Sequence, residues 1–212
     1  AWLPRLAPMG RRTTEVLTRV RQCTLSQIET RFGALFANPA LRPPPPDDPH
    51  RERPYSSRRT FWCFLWQMLS QNTSCREVVD QLQALLALHG IFKLDSNTSA
   101  YCQARARLPV VWLEEGLVST ATAADRVAPA RHGLQGRPLK AADGSTVTLA
   151  DTPENQEKYP QPKGQKDGCG CPMMRLAVLF SLQSGAVLRV AYGSYYQHEL
   201  RIFHTIHNAL KP

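Results

Sequence analysis

One change of hydrophobic period, near residue 130, sets the limits on what this 212-residue chain can fold into. Upstream, apolar residues recur at the spacing that buries one face of a helix; downstream come β-rich runs bounded by turn residues. Val16, Leu17, Val20, Ile28, Phe32 and Phe36 predict two helices between residues 11 and 37, hinged near Ser26, where "SQIE" offers a Ser26–Glu29 capping box. After the change, "RPLKAADGSTVTL", "MMRLAVLFSLQSG" and "AVLRVAYGSYY" read as three strands, the last two joined by a tight turn at "QSG". "QHELRIFHTIHNAL" then reads as a helix with Leu200, Phe203, Ile206 or His207, and Leu210 on its apolar face. The fold class is α+β. A helical region to about residue 130 precedes strand, strand, strand, helix over residues 131 to 212, with a long loop at 151 to 171.

Within the helical region the pattern is broken by "NPALRPPPPDDPHRERP", where consecutive prolines remove backbone donors and favour extended geometry. Residues 39 to 54 are therefore expected to be a linker or surface arm. "RRTFWCFLWQMLSQ" is a strongly apolar helix; "SCRE", a Ser74–Glu77 capping box, opens the next, and Gly90 caps its C-terminus. This hairpin suits αα packing, with a helix-turn-helix reader of DNA as the other reading. "TSAYCQARARLP" is a short basic helix halted by Pro109, and that proline starts "VVWLEEGLVSTATAADRVA".

Lys and Arg number 26 against 17 Asp and Glu, and the formal charge of +9 suits a polyanionic partner, nucleic acid first and an anionic membrane surface second. No apolar run is long enough to span a bilayer and "AWLPRLAPMG" lacks the pattern of a signal peptide, so a folded cytoplasmic protein is expected. The cysteines are mostly scattered singly, as reduced thiols are. The missing initiator Met and the stop at "NALKP" lead us to expect a fragment of a longer protein.

Asp143 is the acid that most needs a reason. An Asp-Gly pair between β-rich runs is a hairpin signal, yet a carboxylate at the end of a central strand is also a ligand type for Mg²⁺; the residues alone leave both readings open. "TPENQEKY" is explained as a short surface helix with Thr152 as cap and Pro153 at its first position. In "DGCGCP" the spacing of Cys169 and Cys171 is too tight for a zinc knuckle, so free thiols are expected. Two arginine clusters, Arg51, Arg53, Arg58 and Arg59 beside the Pro-rich arm and Arg105 and Arg107 on the basic helix, fit contacts to backbone phosphates.

The runs "RTFWCFLWQMLSQNTSCREVV", "NTSAYCQARARLP", "ADGSTVTLADTPENQEKYPQP", "RLAVLFSLQSGAVL" and "HELRIFHTIHNALKP" together resemble a bacterial insertion-sequence transposase of the DDE type, in the group around insertion-sequence family four. The resemblance runs from about residue 55 to the end, and "Asp-Gly-Ser" and "TPEN" are its most specific parts. It implies a DNA-binding helical region and the first half of an RNase H-like core. It also implies cleavage and strand transfer of double-stranded DNA with Mg²⁺ or Mn²⁺ held by two aspartates and a glutamate, in a nucleoid-associated protein open to forming a homodimer.

Asp143 matches the first aspartate of that triad. The second aspartate and the glutamate would lie beyond Pro212; Asp151, Asp167 and Glu199 are expected to be surface or cap residues, and the chain alone is expected to be inactive. The half-core is expected to leave a sheet edge open where a parallel strand would add, which invites aggregation or pairing. A non-catalytic DNA-binding module and a metal-dependent RNase H-like nuclease are the alternative readings.

Overall fold

The structure, a computed structural model, describes residues 11–36, 38–41, 53–70, 73–91, 94–128, 133–134, 137–164, 166 and 168–210. The helices are α1 (Arg11–Arg21), α2 (Leu25–Phe32), α3 (Ser57–Leu69), α4 (Cys75–Leu88), α5 (Ser99–Ala106), α6 (Val110–Val127), α7 (Pro153–Lys158) and α8 (Glu199–Phe203). The strands are β1 (Gly133–Leu134), β2 (Arg137–Pro138), β3 (Lys140–Thr148), β4 (Met173–Ser181) and β5 (Val187–Ser194). The chain is α+β, as the change of period predicts, and divides into two compact units, Ala1–Leu113 and Glu114–Pro212. That division falls inside α6 and not near residue 130, where the period changes. No described helix is long and apolar enough to cross a membrane.

The first unit is built on α3. Phe61, Trp62, Cys63 and Trp66 are all buried there, joined by Ile28, Val78, Val79, Leu82 and Tyr101 from the neighbouring helices. Phe36, Phe61 and Trp62 meet edge to face, with centroids 5.2 to 5.5 Å apart. The two indoles point their N–H groups out of α3, Trp62 to the Leu41 carbonyl at 3.2 Å and Trp66 to the Cys23 carbonyl at 2.7 Å. Leu41 is itself buried, in a 3₁₀ turn that Asn38 holds by accepting from Ala40 N–H. Leu41, at the start of the expected Pro-rich arm, therefore belongs to the core, while Pro39 and Ala40 are exposed; residues 42 to 52 lie outside the described residues.

Two local expectations shift. The cap of α2 is Thr24, whose N–H donates to Gln27 Oε1 at 3.1 Å, so the box stands two residues before "SQIE" and frees Glu29 to pair with Arg58. Val16 and Leu17 are exposed, because the break at Thr24 leaves the burial to Cys23, Leu25 and Ile28. The other caps form as predicted: Ser74 and Glu77 cap α4 reciprocally. At its far end Gly90 sits at φ 75°, with Gly90 N–H on Ala87 O and Ile91 N–H on Leu86 O, a Schellman closure.

In the second unit β3, β4 and β5 form an antiparallel sheet in that order, and β1 pairs with β2 in a separate short ribbon. The β4–β5 turn is closed by Gly185 at φ 73°, matching "QSG". Gly144, Ala177 and Ala191 stand opposite one another across the three strands. Ile202 of α8 packs on the two alanines, flanked by Phe203 and Ile206. The apolar face expected of the last helix is thus displaced: Leu200 and Leu210 are exposed, because α8 stops at Phe203 and the single turn that meets the sheet carries Ile202 inward.

Trp66→Phe keeps an aromatic ring but removes the pyrrole half of the indole and leaves the Cys23 carbonyl without its donor; urea unfolding should show a loss of about 1–3 kcal/mol or more with an unchanged slope. The Ser74 backbone N–H, then its side chain, holds the Glu77 carboxyl below the usual carboxylate range. A depressed folded-state pKa stabilises above the unfolded value, and that contribution disappears as pH falls through the lowered value. Glu77→Gln should flatten the acid side of the urea-midpoint profile.

Candidate functional site

Asp143 is not in a turn and not at a strand end. It lies inside β3, paired with Val178, and the neighbouring Gly144 pairs with Ala177, so the Asp-Gly dipeptide continues the ladder. This removes the hairpin reading. Strand alternation sends the two residues to opposite faces: Gly144 belongs to the row under α8, and Asp143 to the row of Val178 and Val190. The Asp143 side chain is exposed, and its Oδ1 accepts from the Gly144 N–H at 2.9 Å. β3 has a partner on one side only among the described residues, which leaves its other edge open as expected.

Glu199 is the residue that sequence reasoning placed as a mere cap. It is the first residue of α8 and is exposed, but its carboxylate lies directly over Gly144: a Cβ added there would be 2.2 to 2.5 Å from Glu199 Cδ and both oxygens. The two carboxylates therefore lie against one backbone unit, Asp143 through the Gly144 N–H and Glu199 over the Gly144 Cα on the α8 face.

Three contacts set the start of α8. Arg175 Nη1 donates to the Gln197 carbonyl at 3.1 Å, its guanidinium lies over the Tyr195 ring, and Gln197 N–H returns to the Ser194 carbonyl at 2.9 Å. His198 caps the helix by accepting from Leu200 N–H. The only sequence signal for this arrangement is a glycine in a strand, where a close approach explains the missing side chain.

Hard divalent cations take carboxylate oxygens and complete their shell with water, so Asp143 is a donor of the right type, while Glu199 sits on the opposite, α8 face of the sheet. Among the described residues no group of three or more His, Cys, Asp or Glu could hold a metal ion. Asp151 is exposed and accepts from Gln156 Nε2 at 2.8 Å in the loop that leads into α7, while Asp167 lies outside the described residues. Thr152 caps α7 by accepting from Asn155 N–H, as predicted. Cys169 and Cys171 are free and exposed.

The arginines separate into two kinds. Arg58 pairs with Glu29, and Arg59 Nη1 donates to the carbonyls of Arg53 and Pro54 at 2.7 and 3.4 Å. Arg105 donates to Gln67 Oε1 at 3.1 Å and lies 5.8 Å from the centre of the Tyr101 ring. These three side chains serve the fold of the first unit. Arg53 and Arg107 are exposed, and Arg51 lies outside the described residues.

Gly144→Ala should be nearly neutral for stability, within about 1 kcal/mol, since the group it displaces is the flexible end of Glu199 and alanine suits a strand interior better than glycine. The substitution should move Glu199 off the Gly144 backbone, visible as a changed Glu199 side-chain resonance with an unchanged urea midpoint. Comparison with family models, with curated proteins and with solved structures gave no match for this chain.

Proposed function

We propose that this chain is a DNA-binding portion of a DDE-type transposase whose second unit is the first half of an RNase H-like core, with Asp143 as its first metal-binding aspartate. The observation that carries this reading is the placement of Asp143. It stands mid-strand, exposed, on the open-edged strand of a three-stranded antiparallel sheet. An open edge next to β3 suits the addition of a further strand carrying a second aspartate.

Asp143 would contribute a carboxylate oxygen to Mg²⁺ or Mn²⁺; a bound ion would supply Lewis-acid activation of water or a 3′-hydroxyl at a phosphodiester. The chain's own part is to hold the Asp143 carboxylate on a rigid strand and to bind the DNA backbone through exposed cations. Arg53 and Arg107 are the members of the two clusters best suited to phosphate, because Arg58, Arg59 and Arg105 are engaged within the protein. The formal charge of +9 supports the same partner.

Fluorescence anisotropy with duplex DNA across a salt series tests the binding. The logarithm of affinity should fall linearly with the logarithm of salt, and Arg53→Ala with Arg107→Ala should each lower the slope by about one. Asp143→Asn should bind duplex as tightly as the parent without added metal. In any longer protein containing this chain, Mg²⁺-dependent nicking should vanish in Asp143→Asn. Salt-independent binding, or nicking that survives the substitution, would reject the proposal.

A further inference from the structure

We infer that the first unit holds a binding site for a small amphipathic carboxylate, one with an aliphatic or aromatic body, in a cavity walled by α2, α3 and the end of α4. The inference is independent of DNA binding and of Asp143.

The cavity has a volume of about 580 Å³, within the range of about 300–1,000 Å³ usual for small-molecule sites. Leu25 of α2, Leu41, Trp62 of α3 and Leu86 of α4 line it, and all four side chains are buried in the core. Protein interiors close most gaps larger than a water molecule, so a space of this size against four core residues costs the fold packing contacts. An apolar body placed there supplies the contacts that the lining lacks and leaves water as it does so.

Gly33 helps to keep the space open. It lines the cavity in the turn after α2, at φ −55° and ψ −36°, helical values that any residue adopts. A Cβ built on it would meet nothing within 4 Å among the described residues, so neither backbone conformation nor a close approach accounts for the glycine. A larger side chain at this position is compatible with the backbone, and from the cavity wall it takes up room that a ligand would use.

The charged groups on the wall select the ligand's head. Arg58, Arg59 and Glu29 all line the cavity, and Arg58 pairs with Glu29, so the wall carries the charge of Arg59 in surplus. Arg59 is half-buried, and the carbonyls of Arg53 and Pro54 that accept from its Nη1 hold the guanidinium in place. Its positive charge acts across the cavity whatever else it touches, and more strongly beside apolar walls than in open water. The imidazole of His89, at the end of α4, lines the same space and adds a polar partner. A carboxylate head on an apolar body matches both features. An ammonium head would meet the surplus positive charge, and an uncharged hydroxyl would forgo the charge-assisted interaction.

Isothermal titration calorimetry of the full chain with octanoate, octan-1-ol and octylamine tests the site. The expected result is one octanoate bound per chain, with octan-1-ol and octylamine weaker by about tenfold or more. Gly33→Leu should weaken octanoate by about tenfold or more while its urea midpoint stays at or above that of the parent, since leucine suits helical backbone better than glycine. Arg59→Gln should weaken octanoate by about tenfold and leave octan-1-ol unchanged. Failure of octanoate to bind a chain that circular dichroism reports as folded would overturn the inference, as would octylamine binding as tightly as octanoate. Octanoate bound equally well by a folded Gly33→Leu variant would overturn it too; none of these readings requires Arg59→Gln to fold.

Discussion

Two indole N–H groups buried on one helix need acceptors from outside that helix, and this requirement organises the first unit. Carbonyls inside a helix are already used by its own ladder, so Trp62 and Trp66 can be satisfied only where the chain has left a helix. Cys23 lies in the break between α1 and α2, and Leu41 lies in the turn after α2; those two carbonyls are the ones taken. The hydrogen bonds therefore locate both breaks against α3, and burial of Ile28, Leu41 and the facing aromatic rings follows from that placement. Gln67 plays the complementary part on the same helix. Its oxygen accepts from Tyr101 and Arg105, and its nitrogen donates to the Thr73 carbonyl and the Cys75 sulfur, which ties α3, the start of α4 and α5 together.

The second unit rests on size rather than on polarity. Gly144, Ala177 and Ala191 make a shallow row across the sheet, and so short a helix as α8 can seat Ile202 there because nothing protrudes. The same shallow row brings Glu199 over Gly144. Alternation along β3 then puts Asp143 on the opposite face, where its carboxylate stays in solvent and avoids the desolvation that a buried, unpaired acid would suffer. Packing on one face and a solvent-exposed carboxylate on the other are thus assigned by adjacent residues of a single strand.

Much of this was legible beforehand because it depends on local rules. The Ser74–Glu77 box, the Gly90 closure, the Thr152 cap and the Gly185 turn each need only a few adjacent residues, and each forms where it was expected. The misread elements depended on what they met. The apolar stripe of the last helix was read through Leu200 and Leu210, but the helix lasts one turn and the sheet receives Ile202. Three of the arginines expected to meet phosphate, Arg58, Arg59 and Arg105, also make contacts within the protein, with Glu29, main-chain carbonyls and Gln67. Charge alone does not distinguish a partnered guanidinium from a solvent-facing one.

The sequence by itself determined the change from helices to strands, the order of the three main strands and the caps that bound most of the elements, because propensity, period and turn chemistry act over a few residues. Only the tertiary structure decided that the Asp-Gly pair is a strand interior, that Glu199 lies over its glycine, and that Cys75 meets Gln67 and Arg105. Those outcomes join residues far apart in the chain. They arise from which small side chains permit close approach and which buried donors still need an acceptor, and neither is visible until the elements have packed.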